Sequence, residues 1–393
     1  MALASAPRIV IIGGGGTGGA LAHDLVLRGL RVVLVERHGL TSGTTGRHHG
    51  LLHSGARYAV NDPESAVECI RENRILRRIA PGSFEENDGL FVALDESDMA
   101  YRDRFLPACD ASGIPVRWLG PSAARRLEPG LADSILGAAQ VPDGTMDALR
   151  LPLRFFATAL ANGADIRPYT EVEGLTGSTG CVTGVRVLDR ATGRRYKIGA
   201  DVVVNAAGPW AGRVGRMAGV EVPVRPSPGV LVAMRGRACN MVISRLHPSA
   251  DGDIVVPQRM LSIIGTSSWV AEDPDDLEVP EDHVQRMLAE GARLLPALAG
   301  AEIRAAWSAA RPLVGARGAA TGRELSRTFK CFDHDDEGVE GFVTIAGGKA
   351  TTLRGMAELA GDVIVARLGL EAPCRTAETV LLPHTAFHRA QAA

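Results

Sequence analysis

Three glycines near the N-terminus have the spacing that brings a polypeptide backbone close to a phosphate. Gly13, Gly15 and Gly18 form a GxGxxG pattern, and Glu36 ends the next apolar run. The first glycine permits a tight turn, the second lets the backbone approach a pyrophosphate, and the third packs a helix against a strand. Glu36 can accept hydrogen bonds from both ribose hydroxyls, and its negative charge disfavours a 2′-phosphate. These residues predict a site for FAD or NAD, and a purely structural turn is the alternative reading.

The elements around this loop are those that such a site requires. Residues 8–12 (RIVII) predict a buried parallel strand, residues 17–28 a helix, and residues 31–36 the next strand. Asp62 and Pro63 are typical of an N-cap and a first helical position, and they predict a helix that runs to about Ile79. A helix N-terminus that faces the loop would add partial positive charge.

The rest of the chain predicts two further sheets. Glycine-separated strands over residues 163–204 predict an antiparallel meander, which leads into a strand over 201–210. Residues 222–332 carry β-branched runs and one helix near 281–295, which indicates a second, sheet-based domain. A strand over 341–348 again ends in glycines, as the N-terminal strand does, and a helix over 351–368 follows it. The cofactor domain is therefore predicted to be discontinuous.

Composition excludes several classes of protein. The chain has 393 residues, 46% hydrophobic and 22% charged, with a net charge of −2, which favours a globular protein and does not favour a nucleic-acid partner. Its six cysteines include no CxxC pair, so we predict no metal site. No signal peptide or membrane-spanning run is expected. We predict a cytoplasmic protein, with peripheral contact at the inner face of the cell membrane left open.

The segment after Glu36 distinguishes between the two dinucleotides. TSGTTGRHHGLLHSGARY (41–58) is too irregular for a Rossmann helix and resembles the flavin-contacting loop of the glycine oxidase and glycerol-3-phosphate dehydrogenase flavoproteins. Residues 46–76 resemble the catalytic subunit of the anaerobic bacterial glycerol-3-phosphate dehydrogenases. The likeness continues in VPDGTMDALRL (141–151), VVVNAAGPWAG (202–212), LSIIGTSS (261–268), ARPLV (310–314) and GFVTIAGGKATTLRGMAE (341–358).

This resemblance implies an α/β fold of the D-amino-acid oxidase type. A Rossmann-like domain that binds FAD non-covalently would comprise residues 1–80, 145–220 and 333–380. An α+β cap with an antiparallel sheet would comprise residues 81–144 and 221–332, and residues 381–393 would form a flexible tail. The resemblance also implies oxidation of glycerol 3-phosphate, or a close polyol phosphate, to a ketone.

The matching motifs also imply site residues. Substrate-pocket cations would be Arg57, Arg311, Arg327 and Lys349, with Tyr58 as a hydrogen-bond donor or a packing residue and His53 as base or orienting group. Arg311 and Lys349 are placed with His53 among the catalytic residues. The FAD contacts would be made by Gly13, Gly15, Gly16, Thr17, Gly18, Glu36, Arg37, Thr45, Gly46, His49, Gly50, Leu51, Val172, Ala207, Gly208, Gly347, Gly348, Lys349, Ala350 and Thr351.

The sequence departs from this family pattern at three places. Pro228, Gly229 and Val230 stand where a lysine-glycine-serine step is common, and Leu231 stands where the aerobic enzymes carry a histidine. His48 replaces the usual asparagine. The cysteine-rich iron–sulfur domain of the anaerobic enzymes is not expected in this chain, so electrons would leave through a quinone, a partner subunit or oxygen.

Two alternatives remain from the sequence. The substrate could be a 2-hydroxy acid or an amino acid, because related enzymes bind a carboxylate with the same kind of arginine. The chain could also be a non-catalytic flavoprotein subunit of an electron-transfer complex, although Arg57, Arg311 and Lys349 together count against that role.

Overall fold

The computed structural model describes residues 6–315 and 328–392. Arg327 lies outside the described residues. The strands are β1 (Arg8–Ile12), β2 (Arg31–Val35), β3 (Leu51–Leu52), β4 (Phe84–Glu85), β5 (Gly89–Ala93), β6 (Arg117–Leu119), β7 (Gly137–Val141), β8 (Gly144–Met146), β9 (Asp165–Arg167), β10 (Thr170–Ser178), β11 (Cys181–Asp189), β12 (Arg195–Gly199), β13 (Val202–Asn205), β14 (Val224–Arg235), β15 (Val242–Arg245), β16 (Ile254–Gln258), β17 (Leu261–Gly265), β18 (Ile303–Val314), β19 (Phe329–Asp333) and β20 (Phe342–Gly347). The α-helices are α1 (Gly16–Leu27), α2 (Pro63–Ile79), α3 (Glu96–Ala111), α4 (Pro121–Leu127), α5 (Arg150–Ala161), α6 (Ala211–Met217), α7 (Glu281–Leu294), α8 (Leu353–Arg367) and α9 (Thr385–Ala392).

A six-stranded sheet holds the N-terminal glycine loop. Its order is β19-β20-β13-β1-β2-β9, and β1 pairs in parallel with both β13 and β2. The strand runs RIVII and VVVN are apolar almost throughout because both faces of this sheet are covered. One face packs against α1, α5 and α8 through side chains such as Leu21, Phe155 and Ile364, and the other packs against the meander through Val185 and Val187.

The predicted antiparallel meander is confirmed as β10-β11-β12. The predicted helix at Asp62 is also confirmed. The Asp62 side chain accepts a hydrogen bond from the Ser65 amide at 3.3 Å, and Pro63 occupies the first turn of α2. Local capping chemistry therefore fixed this helix start as expected.

The second large sheet has eight strands in the order β18-β14-β17-β16-β15-β5-β7-β6. Its pairs are antiparallel apart from the parallel pair β5–β15, which joins the two stretches of chain that build the sheet. Helix α7 packs on one face through Val284, Met287 and Leu294. The opposite face carries Leu231, whose side chain reaches a large cavity between the two sheets.

Two expectations about segment boundaries were wrong. The tail over 381–393 is not flexible along its length, because Thr385–Ala392 form α9 and Phe387, only 6% exposed, packs against Phe156 of α5. Residues 329–332, assigned to the cap, instead belong to β19, which pairs antiparallel with β20 of the six-stranded sheet. The division into an FAD domain and a cap otherwise stays a prediction.

Within residues 6–315 and 328–392, no helix is both long and apolar enough to cross a bilayer. The same residues contain no cluster of three or more histidine, cysteine or acidic side chains that could hold a metal ion.

Candidate active site

A cavity of about 900 Å³ lies between the two large sheets. Its lining includes the glycine loop at the end of β1, the segment between β2 and α2, and the turn that connects β20 to α8. Strands β14 and β18 of the eight-stranded sheet close it through Gly229, Leu231 and Arg311. One cavity thus joins the predicted dinucleotide loop to the predicted substrate cations.

The glycine loop has a shape that only glycine permits. Gly13 has a φ of +117°, and a Cβ atom there would lie 2.5 Å from the carbonyl oxygen of Ala206. A Cβ atom on Gly18 would lie 2.0 Å from the carbonyl oxygen of Gly13, so this glycine packs the helix against the loop. Helix α1 begins at Gly16 and has no acidic residue in its first turn, which leaves its positive end available to an anion.

Glu36 and Thr45 organise the loop from the opposite side. The two carboxylate oxygens of Glu36 accept hydrogen bonds from the amides of Gly14 at 2.7 Å and His38 at 2.8 Å. The hydroxyl oxygen of Thr45 accepts from the Gly16 amide at 3.0 Å. Glu36 and Thr45 both line the cavity, and each carboxylate oxygen keeps acceptor capacity for a ribose hydroxyl.

The histidine segment lies in the wall of the cavity. The His53 amide donates to the Thr351 hydroxyl at 3.0 Å, and the His53 ring centroid lies 5.4 Å from that of Tyr58. Burial lowers the pKa of His53 well below its ordinary value, and the nearby His49, Arg57 and Lys349 lower it further. His53 is therefore a neutral imidazole at physiological pH.

Its two histidine neighbours are neutral for the same reason. Burial lowers the pKa of His48 to about 4, and burial with the adjacent cations lowers the pKa of His49 to about 3. Nδ1 of His48 accepts from the Gly50 amide at 2.9 Å, and Nδ1 of His49 accepts from the Leu51 amide at 3.2 Å. These bonds give both rings a local structural role in shaping the loop.

Among the described residues, four hydrogen bonds hold Arg311 to the eight-stranded sheet and to the segment that follows β17. Its Nε atom donates to the carbonyl oxygen of Ser227 at 3.1 Å, and Nη1 donates to the Thr266 hydroxyl at 2.9 Å. Nη2 donates to the carbonyl oxygens of Pro228 and Ser267, each at 3.0 Å. These four acceptors carry no formal charge, and the guanidinium that they fix lines the cavity.

Lys349 and Arg57 reach the cavity with acidic neighbours. The Lys349 ammonium lies 4.9 Å from the Tyr58 ring centroid and 4.0 Å from a carboxylate oxygen of Glu68. Burial raises the pKa of Glu68 to about 7, although Lys349 opposes this shift. Arg57 donates through Nη2 to Asp253 at 2.7 Å.

Most residues predicted for the site line this cavity. The predicted substrate and catalytic residues in its wall are His53, Arg57, Tyr58, Arg311 and Lys349. The predicted FAD contacts in its wall are Gly13, Gly15, Gly16, Thr17, Glu36, Arg37, Thr45, His49, Leu51, Val172, Ala207, Gly208, Gly347, Gly348, Lys349 and Ala350. Their roles toward FAD and substrate stay predictions.

Four predicted contacts do not line the cavity, and each has another physical role. Gly18 packs against Gly13 as described above. A Cβ atom on Gly46 would lie 2.6 Å from the Thr41 carbonyl oxygen, and one on Gly50 would lie 1.8 Å from the Gln258 side chain. Thr351 is fully buried and holds the His53 amide. These four residues pack against, or hydrogen-bond to, the segments that line the cavity.

Sequence reasoning missed the acidic partners of the cations. Asp253 and Glu68 contact Arg57 and Lys349, but neither lies in a motif that signals this role. It also missed Asp275, which lines the cavity and accepts hydrogen bonds from the indole of Trp210 at 2.8 Å and from Arg213 at 2.6 Å. Only the fold brings these residues together.

The structure gives a role to each of the residues at 228–231 that differ from the family pattern. The Pro228 carbonyl holds Arg311, and a Cβ atom on Gly229 would lie 2.3 Å from the Ser267 carbonyl oxygen. Val230 is fully buried against α7, away from the cavity, and Leu231 gives the cavity an apolar contact.

Comparison with known proteins agrees with this geometry. The family model described as FAD dependent oxidoreductase matches residues 8–359. A subunit of the anaerobic glycerol-3-phosphate dehydrogenase of Escherichia coli (strain K12) is 44% identical over 376 residues, which cover 95% of this chain and 69% of that protein.

Two solved structures have the same fold. Glycine oxidase from Geobacillus kaustophilus matches with a TM-score of 0.74 and 24% identity, over 96% of this chain and 99% of that one. Glycerol-3-phosphate dehydrogenase from Bacillus halodurans, solved in complex with FAD, matches with a TM-score of 0.74 and 24% identity, over 98% of this chain and 70% of that one. The chain belongs to the family of FAD-dependent oxidoreductases.

Proposed function

We propose that this flavoenzyme oxidises sn-glycerol 3-phosphate at its secondary alcohol to dihydroxyacetone phosphate. The observation that carries the proposal is the convergence of Arg57, Arg311 and Lys349 on the cavity that also contains the glycine loop. Cations of this kind suit a phosphate monoester, which carries about −1.5 to −2 charge at neutral pH. The similarity to glycerol-3-phosphate dehydrogenases supports the same substrate.

The glycine loop would hold the FAD pyrophosphate against the N-terminus of α1, and Glu36 would bind the ribose of the adenosine. The turn Gly347–Ala350 and the loop that carries His49 and Leu51 would contact the flavin ring. Bound FAD supplies an acceptor at N5 for the hydride of the secondary alcohol.

The residues of the chain would bind and orient the substrate. The guanidinium of Arg311, which is already fixed by four hydrogen bonds, would present its cavity-facing edge to a phosphate oxygen without losing conformational freedom. Lys349 and Arg57 would add two more positive charges. We assign the hydroxyl proton to the imidazole of His53, because this neutral ring lies in the cavity wall beside Tyr58.

The reduced flavin would pass its electrons to a quinone or to a partner subunit. The Escherichia coli relative is named as one subunit of its dehydrogenase, which supports a partner for this chain as well. We place the enzyme in the cytoplasm, with peripheral contact at the inner face of the cell membrane where a quinone is the acceptor.

Anaerobic reduction of the bound flavin separates this proposal from its alternatives. The purified yellow protein is mixed with glycerol 3-phosphate, glycerol, L-2-hydroxyglutarate or glycine, and the visible flavin absorbance is recorded. We expect rapid bleaching by glycerol 3-phosphate alone. Bleaching by the hydroxy acid or glycine alone would favour a carboxylate substrate, and bleaching by none would remove the dehydrogenase assignment.

A further inference from the structure

Asp253 lies in the wall between the active-site cavity and a second, smaller cavity. It directly precedes β16, and its side chain is 1% exposed. Arg57 and Ser249 line the active-site cavity, whereas His247 and Ser249 line the second cavity of about 470 Å³. Asp253 contacts a residue on each side, Arg57 and His247.

The contacts of Asp253 use both carboxylate oxygens. Oδ1 accepts from Nη2 of Arg57 at 2.7 Å. Oδ2 accepts from the Ala250 amide at 3.0 Å and lies 3.3 Å from Nε2 of His247. The Ala250 amide therefore fixes the carboxylate, the His247 ring lies beside it without a hydrogen bond, and the carboxylate in turn holds Nη2 of Arg57.

Arg57 needs such an anchor because its own element holds it only through the backbone. It lies in a short helical turn, Ala56–Tyr58, that follows Gly55 with a φ of 99°. Among the described residues, both hydrogen bonds of its side chain leave from Nη2, toward Asp253 and the Ala250 carbonyl oxygen. Nε–H and Nη1–H lie on different edges of the guanidinium and have no hydrogen-bond partner among the described residues, so each is available to a ligand in the cavity.

We propose that Asp253, supported by His247, is a positioning residue that aims the remaining donors of Arg57 at the substrate phosphate. This inference rests on the proposed function, because it concerns how the same site binds its phosphate. The competing role is charge compensation, in which Asp253 only weakens the attraction of Arg57 for anions. The two roles predict opposite changes when the negative charge is removed.

The ionisation state of the pair is consistent with an anchor. Burial opposes the charge on Asp253, but Arg57, His247 and the Ala250 amide together lower the pKa of the carboxyl below its ordinary value. The pair remains charged at neutral pH and keeps its short, charge-assisted bond.

The test compares Asp253→Asn, Arg57→Ala and the double variant, each loaded with FAD, for KM and kcat with glycerol 3-phosphate. We expect Asp253→Asn to raise KM about tenfold or more, the factor expected for one displaced charge-assisted hydrogen bond, with kcat little changed. Because Asp253 acts through Arg57, the double variant should have the same KM as Arg57→Ala. A lowered or unchanged KM in Asp253→Asn, or a double variant whose KM is the product of the two single effects, would overturn the proposal.

Asp98→Asn is the matched control. Asp98 is an equally buried acid that holds an arginine of the same sheet, Arg245, at 3.0 Å, and it does not line the active-site cavity. We expect its KM to equal that of the wild type. If Asp253→Asn fails to fold, His247→Gln decides, because it loosens Asp253 but keeps the charges of Asp253 and Arg57: positioning predicts a raised KM, and an unchanged KM would overturn the proposal.

His247→Gln provides an independent reading. This variant should raise KM by a smaller factor than Asp253→Asn does, because Asp253 keeps its bonds to Arg57 and Ala250. If the wild type is not reduced by glycerol 3-phosphate, the proposed function fails. In that case Asp253→Asn, Arg57→Ala and the double variant are compared by their Kd for inorganic phosphate, measured from the change in the flavin spectrum.

Discussion

Replacing Arg311 by alanine removes the cation that the eight-stranded sheet holds most firmly. A charge-assisted hydrogen bond contributes about 1.5–3 kcal/mol, and four of the five N–H donors of Arg311 already serve the protein, so the loss of Arg311 is counted as one such interaction with the phosphate. Since about 1.4 kcal/mol corresponds to a factor of ten, kcat/KM for glycerol 3-phosphate should fall by about 10- to 100-fold. Most of the change should appear in KM, because a phosphate that lies away from the reacting carbon is bound similarly before and during hydride transfer.

The assay is anaerobic flavin reduction followed in a stopped-flow spectrophotometer over a range of substrate concentrations. Arg311→Lys should be intermediate, since it keeps the charge but cannot make the four directional bonds to Ser227, Thr266, Pro228 and Ser267. Arg235→Ala is the matched control, because this arginine lies on β14 with 71% of its side chain exposed. An Arg311→Ala protein whose KM is within about threefold of the wild type would refute the phosphate assignment.

Three further predictions concern the cofactor loop and the stability of the fold. Gly13→Ala should lose FAD on gel filtration, because its Cβ atom would lie 2.5 Å from the Ala206 carbonyl oxygen at a φ of +117°. Glu72→Gln should lower the free energy of unfolding by about 3 kcal/mol in chemical denaturation, because it breaks a fully buried pair with Arg354. His23→Leu should flatten the fall of stability between pH 6.5 and pH 4. Burial lowers the pKa of His23 to about 4 in the folded protein. Between pH 6.5 and pH 4 the unfolded chain therefore binds this proton more strongly, and the free energy of unfolding falls by up to about 1.4 kcal/mol per pH unit.

Each of these has its own control. Gly29→Ala changes a glycine with a positive φ of 84° but meets no atom within 4 Å, so it should keep FAD. Glu173→Gln breaks an exposed pair with Arg195 and should change stability far less than Glu72→Gln. Retention of FAD by Gly13→Ala, an unchanged unfolding midpoint in Glu72→Gln, or equal pH slopes in wild type and His23→Leu would contradict the respective arguments.

The sequence predicted those parts of the fold that local chemistry determines. The strand–loop–helix start, the N-cap at Asp62 and the meander follow from neighbouring residues, since glycine spacing, caps and turns act over a few positions. Helix α9 was missed because its stability comes from Phe387 packing on Phe156, a contact that the chain near residue 387 does not reveal.

The same distinction applies to the site. The cations in the cavity wall could be named because they lie in motifs shared with known flavoproteins. Asp253 could not, because it lies 196 positions from Arg57 and only the approach of β16 to the turn at Ala56–Tyr58 makes them partners. Thr266 and Asp275 were missed for the same reason, since their partners Arg311 and Trp210 lie on distant strands and turns.

Product analysis in a single anaerobic turnover tests the central claim most directly. The FAD-loaded protein is mixed with glycerol 3-phosphate, the loss of visible flavin absorbance is measured, and dihydroxyacetone phosphate is quantified in the quenched mixture. Because one hydride reduces one flavin, we predict one equivalent of dihydroxyacetone phosphate for each flavin bleached. An oxidised flavin after prolonged incubation, or bleaching without that product, would contradict the account.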